Sequence, residues 1–278
     1  MGDADASETR LSRVLRDARA AGRGALIGYL PVGFPTVADS IAAMEAMVAA
    51  GVDVIEVGLP YSDPVMDGPV IQHAVDVALA NGTVTPHVFE AVEAVTAAGA
   101  AAVCMTYWNP VERYGVGRFS EELAAAGGCG LIIPDLIPEE ADRSGWTAAS
   151  DAHQLDRIYL VAQSSTTERL SRTAAASRGF VYAAALMGVT GTGGAKAEAA
   201  QRLVGRVRQV TDLPVCVGLG VSTGEQAARI AAYADGVIVG AGFVRQLIDN
   251  EDQAARLDGV RGFAARLADS IRDARVPA

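Results

Sequence analysis

The stretch LPVCVGLGVSTGEQAARIAAYADGVIVG, residues 213–240, carries the pattern that decides the fold. Residues 213–218 and 236–240 are short apolar runs rich in valine, typical of buried strands. Residues 224–233 between them have the apolar spacing of an amphipathic helix. A strand, a crossover helix and a second strand predict two parallel neighbours in one sheet.

The same alternation extends over the whole chain. Strand-like runs fall at residues 25–30, 53–59, 101–107, 130–134, 157–162, 180–186, 213–218 and 236–240, with helical patterns such as 37–50, 139–152, 168–177, 196–210 and 224–233 between them. Eight units in about 250 residues favour a closed (β/α)8 TIM barrel over an open doubly wound sheet. An extra N-terminal helix at residues 8–21 precedes the first strand, and a helix at 252–273 closes the chain. We therefore predict one α/β domain over residues 1–278.

Composition narrows the function classes. The chain has 23 Lys and Arg against 33 Asp and Glu, a net charge of -10, which argues against general binding of nucleic acid or an anionic membrane. The N-terminus lacks the order of a secretory signal, and no run is long enough to span a membrane. We expect a cytoplasmic protein with reduced cysteines. The three histidines fall in predicted helices, so no metal site is predicted. The sequence also contains no P-loop and no dinucleotide-binding fingerprint.

The second strand, DVIEVGLP at residues 53–60, supplies a candidate catalytic carboxylate. Alternation places Glu56 on the inner side of the barrel near its carboxyl end, where active sites of this architecture lie. Burial would raise its pKa into the range of a general acid or base, although a structural ion pair is the alternative. The proline-flanked loop at residues 60–69 holds Asp67 over the same opening. Asp63 in that loop is either functional or only a turn former.

Glycine-rich loops follow the last strands. Gly218-Leu219-Gly220 and Gly240-Ala241-Gly242 stand where barrels bind phosphate on backbone N–H groups and a helix N-terminus, with tight turns as the alternative. The segment at residues 188–194 is typical of a lid or an anion-binding loop. The side chain of Tyr182, just before this segment, either packs in the core or takes part in catalysis. From the residues alone we predict a barrel enzyme that acts on a phosphate ester by carboxylate acid–base chemistry.

Residues 53–69, DVIEVGLPYSDPVMDGP, closely resemble the signature of tryptophan synthase alpha subunits. The resemblance continues through TYWNP at 106–110, PD at 134–135, MGVTG at 187–191 and both phosphate loops, in the family's order. It implies retro-aldol cleavage of indole-3-glycerol phosphate to indole and glyceraldehyde 3-phosphate in tryptophan biosynthesis. Glu56 corresponds to the acid–base, Asp67 to the acceptor of the indole N–H, and Tyr182 to a supporting group.

The resemblance also implies the binding residues. The indole pocket would contain Tyr29, Met105, Tyr107, Ile132 and Pro134, with Thr190 in the lid, and the phosphate would contact Gly191, Gly220, Gly240 and Ala241. The family's expected Gly-Ser pair is Gly-Ala here, so Ala241 lacks a hydroxyl contact, and phosphate affinity is expected to be weaker.

Family members work with a beta subunit that uses pyridoxal phosphate, so the resemblance implies an allosteric alpha2beta2 heterotetramer and no cofactor in this chain. Three alternatives stay open on the sequence. The chain could be another phosphate-binding barrel such as phosphoribosylanthranilate isomerase or thiamine phosphate synthase, an idle barrel that only binds ligand and activates a partner, or a free-standing lyase that releases indole.

Overall fold

Nine parallel strands form one sheet in the computed structural model, which describes residues 8–184 and 193–274. The strands are β1 (Ala25–Pro31), β2 (Val54–Gly58), β3 (Ala101–Met105), β4 (Gly130–Ile132), β5 (Asp156–Ile158), β6 (Leu160–Ala162), β7 (Val181–Ala184), β8 (Val215–Gly218) and β9 (Gly236–Val239). Their order in the sheet is β5-β4-β3-β2-β1-β9-β8-β7-β6. Apart from β5 and β6, which stand at the two ends of this order, strands that follow one another along the chain are therefore neighbours, as the crossover pattern predicts.

The sheet closes through Tyr159. β5 pairs with β4 and β6 pairs with β7, so the two outermost strands of the sheet are consecutive pieces of chain with one buried residue between them. The Tyr182 amide donates to the Tyr159 carbonyl at 3.0 Å, which extends the pairing with β7 back to this point. The single strand predicted at 157–162 is thus divided, because its first half bonds to one neighbour and its second half to the other. The predicted (β/α)8 barrel is confirmed.

Helices alternate with the strands along the chain. They are α1 (Arg10–Ala20), α2 (Val37–Ala49), α3 (Pro69–Ala80), α4 (Thr85–Ala97), α5 (Trp108–Tyr114), α6 (Val116–Ala125), α7 (Pro138–Arg143), α8 (Trp146–Ala152), α9 (Thr167–Ala176), α10 (Gly193–Arg208), α11 (Gly224–Ala231), α12 (Ala241–Ile248) and α13 (Gln253–Asp273). The continuous helix predicted over 139–152 is wrong. Gly145 has a φ of +82°, a left-handed conformation that ends one helix and starts the next. No helix in the described ranges is long and apolar enough to cross a membrane.

The apolar side chains form two separate cores. The inner core fills the barrel with buried residues of most strands, among them Ile27, Val54 and Ile238, and with the partly buried Leu160 of β6 and Tyr182 of β7. Leu11 and Leu15 of α1 join this inner core, so the N-terminal helix covers one end of the barrel. The outer core lies between the strands and the surrounding helices. With α1 over the other end, the carboxyl ends of the strands form the open mouth of the barrel.

Candidate active site

A cavity of about 480 Å³ opens at the carboxyl ends of the strands. Eight of the predicted site residues line it: Tyr29, Glu56, Asp67, Met105, Tyr182, Gly220, Gly240 and Ala241. They come from β1, β2, β3, β7 and the loops after β2, β8 and β9. The folding of separate strands into one barrel brings them together, since they are spread over more than 200 positions of sequence.

Glu56 is the central ionisable group of this cavity. Its neighbours Ile55 and Val57 point to the outer core, so the alternation of β2 turns Glu56 inward, where it is only 1% exposed. Desolvation raises its pKa from 4.5 to about 8. Its Oε1 has no hydrogen-bond partner among the described residues, nor does any described Lys or Arg form an ion pair with it. The alternative of a structural ion pair therefore finds no support in the described part of the chain.

Asp67 is held above the cavity by a tyrosine from the neighbouring strand end. The Tyr107 hydroxyl donates to Asp67 Oδ1 at 2.9 Å and accepts from the Met66 amide at 3.1 Å. The Tyr107 ring also packs against Tyr61, with ring centroids 5.4 Å apart. Burial raises the pKa of Asp67, and the hydrogen bond from Tyr107 opposes that change. The Tyr107 hydroxyl thus holds both the Met66 backbone and the Asp67 side chain in place.

Two tyrosines form the walls beside the carboxylates, and each is seated on a glycine of the next strand. A Cβ at Gly58 would lie 2.7 Å from the Tyr29 hydroxyl, and one at Gly218 would lie 2.5 Å from the Tyr182 hydroxyl. Burial raises the pKa of both phenols, and the charge of Glu56 adds to the effect on Tyr182. Both rings therefore stay neutral, and both can donate a hydrogen bond into the cavity.

The far end of the cavity is made of backbone. Gly220 has a φ of +65°, a conformation that favours glycine, and α12 begins directly after Gly240 at Ala241. Because the first amides of a helix lack partners within the helix, this end offers N–H donors and a positive dipole to an anion. The sequence prediction missed Arg245, which also lines the cavity. Its position one helical turn after Ala241 was the signal that could have revealed it.

The remaining predicted residues lie elsewhere. Tyr107 is not among the lining residues and contacts Asp67 instead, Ile132 is fully buried in β4, and Pro134 lies in the turn that follows. Asp63 is exposed and does not line the cavity, which favours its role as a turn former. Thr190 and Gly191 lie outside the described residues. Within the described ranges, no three His, Cys, Asp or Glu side chains cluster as metal ligands.

Known proteins show which family this architecture represents. A sequence model described as "Tryptophan synthase alpha chain" matches residues 15–271. The tryptophan synthase alpha chain of Thermobifida fusca is 61% identical over 269 residues, covering 96% of this chain and 99% of that protein. The alpha chain of Mycobacterium tuberculosis is 57% identical over 259 residues, covering 93% of this chain and 95% of that protein.

Comparison with solved structures indicates the same family. A crystal structure of tryptophan synthase from M. tuberculosis superposes with a TM-score of 0.87 at 54% identity, covering 95% of this chain and 99% of that one. The alpha chain from Legionella pneumophila gives a TM-score of 0.84 at 30% identity, covering 95% and 97%. These matches exclude the other phosphate-binding barrels that the sequence left open. The chain belongs to the tryptophan synthase alpha chain family, and it is a carbon–carbon lyase that cleaves indole-3-glycerol phosphate without a cofactor of its own.

Proposed function

We propose that Glu56 moves the protons of this cleavage and that Asp67 orients and stabilises the indole ring. The observation that carries the proposal is the burial of Glu56 at the mouth of a barrel, where its Oε1 has no hydrogen-bond partner among the described residues. With a pKa of about 8, the carboxyl group is mostly protonated at neutral pH. A group with a pKa near the working pH can both give and take a proton within one catalytic cycle.

One acid–base group is sufficient for both proton transfers of the proposed reaction. Glu56 first donates its proton to the indole ring carbon that bears the glycerol phosphate chain, leaving a cationic ring and a carboxylate. The carboxylate then removes the proton of the adjacent glycerol hydroxyl, the O–H electrons form the carbonyl of glyceraldehyde 3-phosphate, and the carbon–carbon bond electrons return to the ring. Indole leaves, and Glu56 is protonated again.

Asp67 is proposed to accept a hydrogen bond from the indole N–H. Protonation of the ring carbon places positive charge on the ring, and a fixed carboxylate stabilises that charge where little water competes. The two contacts of Tyr107 support this role, because they hold the loop before the substrate arrives. Tyr182 would steady Glu56 or the glycerol chain.

The remaining parts of the substrate fit the two ends of the cavity. Tyr29 and Met105 offer apolar surface to the flat ring. By family resemblance Ile132 and Pro134 would also belong to the indole pocket, with Thr190 as a lid residue. The phosphate would accept hydrogen bonds from the N–H groups of Gly220, Gly240 and Ala241 at the start of α12, and from Gly191 by resemblance.

We also propose a partner, a place in the cell and a domain organisation. The M. tuberculosis structures that the chain resembles are of tryptophan synthase. We therefore expect this chain to bind a beta subunit in an alpha2beta2 complex, with pyridoxal phosphate in the beta subunit, and to act in the cytoplasm. Residues 1–278 would form one domain.

The test is indole release from indole-3-glycerol phosphate by the purified chain, alone and with a matching beta subunit. Slow release that rises strongly with the partner supports the complex, whereas rapid release by the chain alone supports a free-standing lyase. Glu56→Gln is expected to lower turnover at least 100-fold while substrate binding persists, because an amide cannot exchange a proton. Glu93→Gln, an exposed carboxyl on α4, is the control. Substantial turnover by Glu56→Gln would contradict the assigned role.

A further inference from the structure

Arg245 faces the end of the cavity where the substrate phosphate is proposed to bind. We infer that its guanidinium group binds that phosphate and provides the charged contact at a site where Ala241 offers no hydroxyl. The inference rests on the proposed function, since it assumes that the phosphate lies at the start of α12. It adds a residue that determines affinity and specificity for the phosphorylated substrate.

The geometry of α12 brings Arg245 back to the phosphate loop. Arg245 is four residues after Ala241, which is about one helical turn or 6 Å along the axis. Helical side chains lean toward the N-terminus of their helix and cover the preceding turn. The Arg245 side chain therefore extends over the turn that begins at Ala241, and it lines the same cavity as Gly220 and Gly240.

The charges of the side chains that line the cavity single out Arg245 as the group that can attract a phosphate. Apart from Arg245 and the tyrosines, the ionisable side chains among the described lining residues are the carboxyl groups of Glu56 and Asp67, neither of which can carry a positive charge. A phosphate monoester carries a charge of about -1.5 to -2 at neutral pH, and the chain itself has a net charge of -10. Arg245 is the one Lys or Arg among these described lining residues, and it is the group that can offset this repulsion.

The guanidinium group is also available. Arg245 forms no ion pair with a carboxylate and no side-chain hydrogen bond within residues 8–184 and 193–274, although many other arginines, such as Arg23 with Asp53, do. Its side chain is exposed at the cavity rim. A guanidinium group has five N–H donors in a fork that matches two phosphate oxygens, so it can bind the anion without breaking an existing contact.

The expected effect is about tenfold in affinity. A hydrogen bond to a charged group, weakened by solvent at the rim, contributes a factor of about ten to affinity. Because the phosphate is remote from the reacting carbon, its contact is kept throughout the reaction. Loss of Arg245 is therefore expected to raise KM and leave kcat within about twofold.

The experiment compares two ligands on four proteins. The dissociation constants of indole-3-propanol phosphate and of indole-3-propanol are measured by calorimetry for the parent chain, Arg245→Gln, Arg245→Lys and Arg261→Gln. Arg261 lies on α13, is exposed and does not line the cavity, so its variant makes the same change in net charge at a distance. The readout is the dissociation constant of indole-3-propanol divided by that of indole-3-propanol phosphate. This ratio isolates the contribution of the phosphate to affinity.

We expect this ratio to fall about tenfold in Arg245→Gln, to stay mostly intact in Arg245→Lys and to be unchanged in Arg261→Gln. A parent-like ratio in Arg245→Gln would overturn the inference and leave the proposed phosphate site standing. A loss shared equally by both ligands would also overturn it, because Arg245 would then act on the shape of the cavity. If the parent chain itself binds both ligands equally, the phosphate site of the proposed function fails as well.

Discussion

Replacing Glu56 with Gln is expected to change how the stability of the fold depends on pH. Glutamine keeps the shape of the side chain but cannot ionise. In the native protein, burial raises the pKa of Glu56 from 4.5 to about 8. Between these two values the folded protein retains a proton that the unfolded chain has released, so the contribution of Glu56 to stability falls as pH rises.

The size of the effect follows from the same pKa values. One proton of difference between the two states gives a slope of about -1.4 kcal/mol per pH unit over the window from about pH 4.5 to pH 8. The whole window corresponds to about 5 kcal/mol, and the contribution levels off above pH 8, where Glu56 is ionised in both states. Glu56→Gln removes this slope and is expected to be more stable relative to the parent at pH 8 than at pH 5.

Denaturant unfolding of both proteins at pH 5, 6, 7, 8 and 9 measures the difference directly. The slope is the test, because a buried amide adds a constant cost that is the same at every pH. Glu93→Gln, which removes an exposed carboxyl, serves as the control and is expected to follow the parent. A difference between Glu56→Gln and the parent that does not vary with pH would refute the conclusion that burial raises the pKa of Glu56 in the folded protein.

Three further outcomes are expected. Tyr107→Phe removes the donor to Asp67 and the acceptor for the Met66 amide, so kcat/KM for indole-3-glycerol phosphate is expected to fall about tenfold, while Tyr114→Phe, remote from the cavity, does not change it. The kcat/KM of the parent is expected to decline above about pH 8, where Glu56 loses the proton it donates; a flat steady-state profile to pH 9 would contradict this. Trp146→Ala is expected to cost about 3–5 kcal/mol in denaturant unfolding, because the indole is 1% exposed, and a loss below about 1 kcal/mol would contradict that packing.

The sequence predicted the barrel because each strand is a short apolar run and each crossover has helical spacing. The division of the fifth strand at Tyr159 could not be predicted, since it depends on which neighbour each half bonds to. The break at Gly145 was visible as a glycine, but a glycine within a helical pattern does not reveal the sign of its φ.

The position of Glu56 in the cavity follows from alternation along a single strand, so local reasoning was sufficient for it. The contact between Tyr107 and Asp67 joins residues 40 positions apart through a loop whose path no local pattern specifies. Tyr107 was therefore expected in the wall of the indole pocket by resemblance alone. Arg245 was missed because an arginine on a helix is usually a solvated surface residue, and only the folded cavity distinguishes it.

The junction at Tyr159 divides the chain into two parts, residues 1–158 and residues 160–278. The chain before it contains β1 to β5, and the chain after it contains β6 to β9. The two parts meet along the ladder between β1 and β9 and at the covalent link itself. A cut in the backbone at this junction would leave fragments that each hold a continuous set of paired strands. Such half-barrels have a complete complementary edge through which to reassemble, so Tyr159 marks a natural site for fragment complementation.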